Sequence, residues 1–526
     1  MSTTNHSVSS DSFSNDAKHA VFKLLLEKKG MRFNTQIIPR RDGLTSVPLS
    51  FAQERLWFLN QLEGASATYN TPAPLRLSGR LNLNALHQAL AEIIRRHEIL
   101  RTSFVNINGT PMQVIHPEAS MNMEVVDLQH LEESEQELVV EQQIQQLAMT
   151  PFDLESPPLI RCSLLRLSNS DYVFCIDMHH IVSDGWSLGV LVRELSALYK
   201  AFCAGESSPL PNLEIQYADF ALWQRQWLSG EILEEQIQYW VSQLQGAPEL
   251  LQLPTDRPRP TVQTFRGTRQ SIELPKTLTE DIKALSRREG TTLFMTLVAA
   301  FKSMLHYYSG QDDIVIGTDV ANRNRVETEE IIGFFVNQLV LRTDLSGNPA
   351  FRELLWRVRK VALEAYDHQN MPFDKLVAAL NPERHLNRTP LFQAKFVLQN
   401  TPMPDLEIEK LTVSLLEVDN GTAKFDLLLT MWETEQGLSG ELEYSTDLFN
   451  AATIVRMLET FETILHTSIS QPSIKLNALI RILKEAEKQK RVVKQKEFRE
   501  FRRSKIENLK PQLINASKLE KKETGQ

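Results

Sequence analysis

A ten-residue turn between a strand-like segment and a helix-like segment constrains this chain most strongly. The apolar residues 172–176 lead into Met-His-His-Ile-Val-Ser-Asp-Gly-Trp-Ser at positions 178–187. Apolar residues then recur at steps of three and four from Leu188 to Tyr199, which predicts an amphipathic helix. A strand that runs directly into a helix places the polar turn residues at the rim of a sheet, where ligands commonly bind.

Two histidines and an aspartate make this turn a candidate catalytic site. Adjacent residues of an extended segment point to opposite faces, so only one of His179 and His180 can face a reaction centre. Asp184 could orient that histidine or form an ion pair that stabilises the turn. Gly185 permits a backbone conformation that other residues avoid.

Two other interpretations of the same turn stay open at this point. The sequence Gly-Trp-Ser-Leu-Gly at 185–189 matches the pattern of a serine hydrolase, with Ser187 as the nucleophile, but leaves His179, His180 and Asp184 without a role. Alternatively, the histidines are hydrogen-bonded wall residues with no catalytic role. No metal site is predicted, because CxxC and HExxH patterns do not occur and the histidines lack a third ligand at typical spacing.

The length of 526 residues predicts two lobes rather than one core. Strands and helices alternate in each half, which indicates an α/β fold. Ser50 with Gln53 predicts a capping box at one helix start, and a helix is predicted from Asn82. Four prolines within 246–267 mark a boundary. We therefore predict a disordered lead, short helix and linker at 1–45, a first lobe at 46–250, a second lobe at 251–470, and a basic, partly helical tail at 471–526.

The charge distribution and the cysteine content limit the cellular locations and the classes of partner that this protein can have. Residues 473–526 carry a balance of +9 and the remainder −18, which argues against a dedicated nucleic-acid-binding protein. No apolar run approaches the ~20 residues of a membrane span, and residues 1–16 do not resemble a secretory signal. The three cysteines, Cys162, Cys175 and Cys203, are too few and too loosely spaced for a disulfide framework. These features predict a cytoplasmic protein without membrane or nucleic-acid partners.

Seven segments resemble, in family order, the motifs of the condensation domains of nonribosomal peptide synthetases. They are LSFAQERLW at 49–57, RHEILRTSF at 96–104, HHIVSDG at 179–185, YADFALWQ at 217–224, IGFFVNQLVLR at 332–342, HQNMPFD at 368–374 and RTPLFQ at 388–393. The resemblance covers about residues 46–466, and a chance match of all seven in order is implausible. The form of the first motif, with Trp57, resembles the subtype that accepts L-configured donors.

This resemblance implies a fold and a reaction. The fold is two lobes similar to chloramphenicol acetyltransferase that meet as a V-shaped pseudo-dimer around a central tunnel. One carrier protein presents an acyl or peptidyl thioester, a second presents an aminoacyl thioester, and the chain is transferred to the amine as an amide. Both substrates arrive on phosphopantetheine arms, so no intrinsic cofactor is expected.

The resemblance also assigns roles to residues. It places His180 at the junction as base or positioner of the amine, with His179 as its structural neighbour. Asp184 would be structural and paired with Arg101, or failing that with Arg342. The Gly185 N–H would lie near the developing oxyanion. The remaining supporting or tunnel positions are Asn337, Trp186 and Ser187.

An alternative function, two docking elements and two bridging segments are also expected. A degenerate condensation fold could instead serve as a non-catalytic platform that recruits a tailoring enzyme. The N-terminal helix and the basic tail are candidate docking elements for adenylation or tailoring enzymes. Residues 217–224 and 424–427 are expected to bridge the lobes near the tunnel.

Overall fold

Two six-stranded sheets, one in each lobe, organise the computed structural model of the protein. The structure describes residues 37–64, 66–383, 385–399, 407–408, 411–416 and 421–490. The predicted N-terminal helix at about 17–30 and the tail from residue 491 lie outside the described residues.

The first part of the chain supplies seven of the strands that the structure describes and five of the α-helices. Its strands are β1 Ser46–Pro48, β2 Asn70–Ser78, β3 Thr102–Ile107, β4 Thr110–Ile115, β5 Met123–Asp127, β6 Ile160–Arg166 and β7 Asp171–His179. Its helices are α1 Phe51–Glu63, α2 Leu83–Arg96, α3 Glu133–Met149, α4 Gly185–Cys203 and α5 Tyr217–Trp227. A 3₁₀ turn, Glu98–Arg101, precedes β3.

The second part of the chain continues the alternation of helices and strands. The helices are α6 Gly230–Leu244, α7 Lys276–Glu289, α8 Leu293–Ser309, α9 Phe351–Asp367, α10 Phe373–Leu380, α11 Ala451–Ser470 and α12 at 476–490. The strands are β8 Gly267–Pro275, β9 Asp313–Val320, β10 Asn337–Asp344, β11 Ala394–Gln399, β12 Glu407–Ile408, β13 Leu411–Leu415, β14 Leu427–Thr434 and β15 Gly437–Ser445. A second 3₁₀ turn covers Val326–Thr328.

Strand β7 lies inside the first sheet and determines where the polar turn emerges. The strand order is β12-β13-β2-β7-β6-β5, and β7 is antiparallel to both of its neighbours. Helices α2 and α4 pack on one face of this sheet, and α3 packs on the other. Because β7 is buried from Tyr172 to His179 and leads into α4 at Gly185, the intervening turn is held at the sheet rim.

The two lobes exchange segments, so the proline-rich seam is not the physical boundary. In the second sheet the order is β10-β9-β11-β14-β15-β8, but β13 crosses over and pairs antiparallel with β2 of the first sheet, with Val413 opposite Leu77. Conversely, α6 precedes the seam, yet Trp240 and Leu244 are buried in the core of the second lobe. Residues 424–427, one of the two segments expected to bridge the lobes, lead back into β14 of the second sheet. The strand that crosses between the lobes is β13.

The segment that precedes β10 is irregular for a physical reason. Strand β10 begins at Asn337, because residues 331–335 pack irregularly into the first lobe. Gly333 is required there, since a Cβ atom would lie 2.0 Å from the Tyr217 ring. Residues 217–244 form two helices, α5 and α6, and the short helix α10 follows the 369–372 loop.

Helix α12 extends the core of the second lobe beyond the predicted boundary at residue 470. Leu476, Leu479 and Leu483 are buried against this core, whereas Ile482 on the same helix is 40% exposed. We expect Leu479→Ala to lower the free energy of unfolding by about 2–5 kcal/mol through lost burial and a cavity. The matched variant Ile482→Ala should change it by less than about 1 kcal/mol. Urea denaturation measures both, and equal effects would contradict this packing.

Candidate active site

His180 lies just beyond the end of β7 and is oriented by two backbone carbonyls. The backbone N–H of His180 donates to the Tyr69 carbonyl at 2.8 Å, and the ring Nδ1 lies 2.6 Å from the Ser183 carbonyl. Since a carbonyl only accepts, Nδ1 carries the proton and the Nε2 lone pair is left available. The ring packs against Phe334, with centroids 4.7 Å apart. The imidazole is therefore held as one tautomer with a basic Nε2.

The surroundings of His180 favour its neutral form. Burial lowers the pKa of the imidazole, and the positive charge of Lys424 lowers it further. The Ser183 carbonyl and the carboxylates of Asp184 and Asp319 act in the opposite direction, but the net direction is downward from the ordinary value near 6.5. At neutral pH this side chain can accept a proton.

His179 lies on the other side of the strand, away from His180. Its ring packs between the rings of Tyr69 and Phe152, with centroids 6.4 and 6.1 Å away. Its Nδ1 accepts the Ile181 N–H at 3.1 Å, and burial lowers its pKa to about 3. His179 is thus a neutral residue of the wall that stabilises the turn.

The ion-pair partner of Asp184 is Arg323, so the prediction of Arg101 or Arg342 was wrong. The Arg323 Nη2 lies 3.0 Å from Asp184 Oδ1, and both side chains are almost completely buried. Asp184 Oδ1 also accepts the Ser187 N–H at 2.9 Å, and Oδ2 accepts the Phe335 N–H at 2.9 Å. The Arg323 Nη1 donates to the carbonyls of Thr328 and Ile331. Asp184 therefore joins the turn to the 323–335 loop.

The two arginines named from the sequence have other partners because of where their elements place them. Arg101, at the end of a 3₁₀ turn, donates to the His116 carbonyl and lies 3.6 Å from Glu98. Arg342 on β10 pairs with Asp313 on the adjacent strand β9 at 2.9 Å. Arg323 follows β9 in a polar loop, and no local pattern distinguishes it from the other arginines of the chain.

Ser187 is a buried structural residue, which excludes it as the nucleophile of a hydrolase. Its side chain is completely buried. Its hydroxyl lies 2.8 Å from both Asp184 Oδ1 and the Gly333 carbonyl, and it accepts hydrogen bonds from Arg323 and the Gly333 N–H. Among the described residues no histidine is hydrogen-bonded to it. Trp186 is also structural, because its Nε1 donates to the Glu329 carbonyl at 2.9 Å.

Gly185 and Asn337 contribute in ways that differ from the predictions. Gly185 is the first residue of α4 and is not in the left-handed region, so the prediction that it supplies a special backbone conformation was wrong. A Cβ atom there would lie 3.5 Å from Gln399 Nε2 at the end of β11. Asn337 donates from Nδ2 to the Gln369 and Met371 carbonyls and accepts the Phe373 N–H, so its amide supports the 369–373 loop.

Distant motif residues meet behind the turn and hold it. The Ser50 hydroxyl lies 2.8 Å from the Tyr217 hydroxyl, which donates to the Phe334 carbonyl at 2.6 Å. Gln53 donates from Nε2 to the Ile181 carbonyl at 3.3 Å. Segments that are far apart in the sequence are therefore joined by side-chain hydrogen bonds, which gives a physical reason for their occurrence together.

Glu194 is a further residue of this support that the sequence did not single out. Its carboxylate accepts from Arg96 Nε at 2.9 Å and lies 2.8 Å from His97 Nε2. These contacts join α4 to the end of α2. The Ile332 N–H donates to His97 Nδ1 at 3.4 Å, so the pair also supports the 331–335 segment.

One group of possible metal ligands occurs in the described part of the chain, and it does not include the turn. Glu249, Glu383 and His385 bring ligand atoms within 4.8 Å of one another. Both carboxylates are exposed, and Glu249 is paired with Arg388 at 3.3 Å. Of the described helices, none combines the length and the apolar character that a membrane span requires.

Comparisons with known proteins agree with this architecture. One of the subunits of linear gramicidin synthase from Brevibacillus parabrevis is 48% identical over 467 residues, covering 88% of this chain and 9% of that protein. Malpinin synthetase of Mortierella alpina is 50% identical over 410 residues, covering 78% of this chain and 5% of that protein. The chain thus spans less than a tenth of the length of these relatives.

Solved structures and a family model complete the comparison. The X-domain from teicoplanin biosynthesis superimposes with a TM-score of 0.76 at 27% identity, covering 84% of this chain and 99% of that one. A four-domain nonribosomal peptide synthetase bound to AMP and glycine superimposes with a TM-score of 0.74 at 25% identity, covering 84% of this chain and 34% of that one. The condensation domain model matches residues 44–492. The chain therefore belongs to the condensation domain family of nonribosomal peptide synthetases.

Proposed function

We propose that this chain forms an amide bond between two carrier-bound substrates. The amine of an aminoacyl thioester attacks the carbonyl carbon of an acyl or peptidyl thioester, so a C–N bond forms and the C–S bond breaks. The amine loses one proton, and the departing thiolate gains one. The observation that carries the proposal is the His180 imidazole, which is neutral, oriented through Nδ1 and free at Nε2 to accept that proton.

The N-terminus of α4 supports the same chemistry. The Asp184 side chain caps the helix through the Ser187 N–H, so the Gly185 N–H lies at the positive end of the helix dipole. Such a group can stabilise the oxyanion that forms when the amine attacks. Thioesters are already activated, and alignment of the two substrates supplies several kcal/mol of the barrier reduction. Asp184 and Arg323 act by holding this geometry.

The partners follow from the same proposal. Donor and acceptor carrier proteins would deliver both substrates on phosphopantetheine arms to the junction of the lobes. The preference for L-configured donors and the cytoplasmic location stay predictions from the sequence. We extend the catalytic unit beyond residue 470 to include α12, because Leu476, Leu479 and Leu483 are part of the second core.

A non-catalytic platform is the second candidate function. The similar X-domain of teicoplanin biosynthesis has been solved in a complex with OxyB, with a TM-score of 0.75 and 27% identity to this chain. The complete HHxxxDG turn and the oriented His180 favour catalysis here.

An intact-mass assay separates these functions. The protein is mixed with one carrier loaded with an acyl thioester and another loaded with an aminoacyl thioester. We expect the acyl mass to move to the second carrier as an amide. Carrier binding without transfer would contradict catalysis and support the platform. A fluorophosphonate probe should leave Ser187 unlabelled, because the hydroxyl is buried.

A further inference from the structure

Lys424 is held rigidly where the chain returns from the lobe crossing to β14. The N–H of the preceding residue, Ala423, donates to the Phe265 carbonyl at 2.8 Å. The Lys424 carbonyl accepts from Gln263 Nε2 at 3.0 Å. Two residues later, Asp426 is paired with Arg259. This backbone is therefore fixed on both sides of Lys424 by the loop that precedes β8.

The side chain of Lys424 reaches from the second lobe to the first. Its Nζ lies 4.5 Å from the centroid of the Tyr69 ring, within the range of a cation–π contact. Tyr69 is also the residue whose carbonyl accepts the His180 N–H. A cation supplied by one lobe is thus placed beside the residue that orients the base on the other.

Charged groups from several elements surround His180, and most of the negative ones are paired. Asp184, at the start of α4, is paired with Arg323. Asp319, on β9, is paired with Lys395 of β11 at 2.7 Å. The neighbouring His179 is neutral, because burial lowers its pKa to about 3. The carboxylates that would stabilise an imidazolium are therefore already matched by cations.

The Lys424 ammonium is a further positive charge near His180. Its charge lowers the pKa of both His180 and His179, and it also acts on Glu443 of β15. A cation at this position disfavours a second positive charge on the imidazole. Because Lys424 and His180 lie on different lobes, their separation depends on how the lobes are placed.

We propose that Lys424 is a positioning residue that keeps the His180 imidazole neutral, so that Nε2 can accept the proton of the attacking amine. The importance of this effect for catalysis rests on the proposed amide-forming function. The charge state of His180 does not, and it can be measured without any turnover.

The test is a titration of His180 in the full-length protein. Histidine is labelled with 13C at Cε1, and the His180 resonance is assigned with His180→Gln. Removing the cation in Lys424→Met should raise the pH at which His180 is half protonated, whereas Lys424→Arg should not. Asp319→Asn removes a carboxylate and should shift the titration in the opposite direction. Lys424→Gln, which also removes the charge but keeps a polar end group, replaces Lys424→Met should that variant fail to fold.

The matched control is Lys375→Met. The Lys375 Nζ also lies 4.5 Å from an aromatic ring, that of Phe51, and it is absent from the groups that shift His180. Its removal should leave the titration unchanged. An unchanged titration in Lys424→Met, or an equal shift in Lys375→Met, would overturn the inference.

The pH dependence of turnover gives a second readout. Neutral His180 is the active form, so a higher imidazole pKa moves the acid limb of kcat to higher pH. Burial still lowers the imidazole pKa in Lys424→Met, so we expect this variant to lose at most about fourfold more activity at pH 6 than at pH 8. If the titration shifts but no carrier pair supports transfer, the proposed function fails and this inference stands. If carriers support transfer but the titration does not shift, the proposed function stands and this inference fails.

Discussion

His180→Ala should reduce amide formation by about 10²–10⁴-fold while the protein stays folded. The substitution removes Nε2, the group that can take the proton of the amine, and leaves the Asp184–Arg323 pair intact. The initial rate of acyl transfer between carriers, followed by intact mass, measures the loss. Circular dichroism checks that the fold is retained.

The neighbouring histidine provides the matched comparison. His179→Gln changes a buried residue of the same turn that accepts the Ile181 N–H. We expect a loss of stability of about 1–3 kcal/mol and a much smaller change in the transfer rate of the folded fraction. A His180→Ala enzyme as fast as the His179→Gln enzyme would rule out a proton-accepting role for His180.

The pH dependence of the wild-type rate follows with a definite sign. The base works as neutral imidazole, and its pKa in the folded protein is lowered. Activity should therefore persist at and below pH 6.5, the ordinary imidazole value, and fall only when the pH reaches the lowered value. An acid limb centred above pH 6.5 would contradict the orientation and surroundings described for His180.

Arg323→Met should lower the free energy of unfolding by about 3–5 kcal/mol and abolish most activity. The change leaves Asp184 charged, almost completely buried and without its cation. It also removes the hydrogen bonds to the Thr328 and Ile331 carbonyls, which hold the loop containing Phe334. Since Phe334 packs on the His180 ring, loss of this loop should also disturb the base.

Arg342→Met is the control for this experiment, and the double variant tests the pairing. Arg342 and Asp313 are about a quarter to a third exposed, so we expect a loss of about 1–2 kcal/mol. Asp184→Asn combined with Arg323→Met removes the unpaired charge and should recover part of the stability lost in Arg323→Met. Urea denaturation of these three variants and of Asp184→Asn alone measures the coupling. Equal losses in Arg323→Met and Arg342→Met would refute a special role of Arg323 in stabilising the turn.

Local features of this protein follow directly from its sequence. The capping box of Ser50 and Gln53 and the helix start at Asn82 are confirmed, because each depends on a side chain and a backbone group within three residues. The alternation of strands and helices in both lobes is also confirmed, since it depends on the periodicity of apolar residues. Motif order identified the family for the same reason, because motifs are local patterns.

Residue pairing across the lobes required the tertiary structure. Which arginine neutralises Asp184, and whether the Ser187 hydroxyl is open or buried, depend on segments more than 100 residues away. The same holds for β13 in the first sheet and for α12 in the second core. The sequence by itself determined the elements, the family and the polar turn, because these depend on neighbouring residues. Only the tertiary structure decided the partners of that turn, because burial and charge pairing are set by which distant surfaces come into contact.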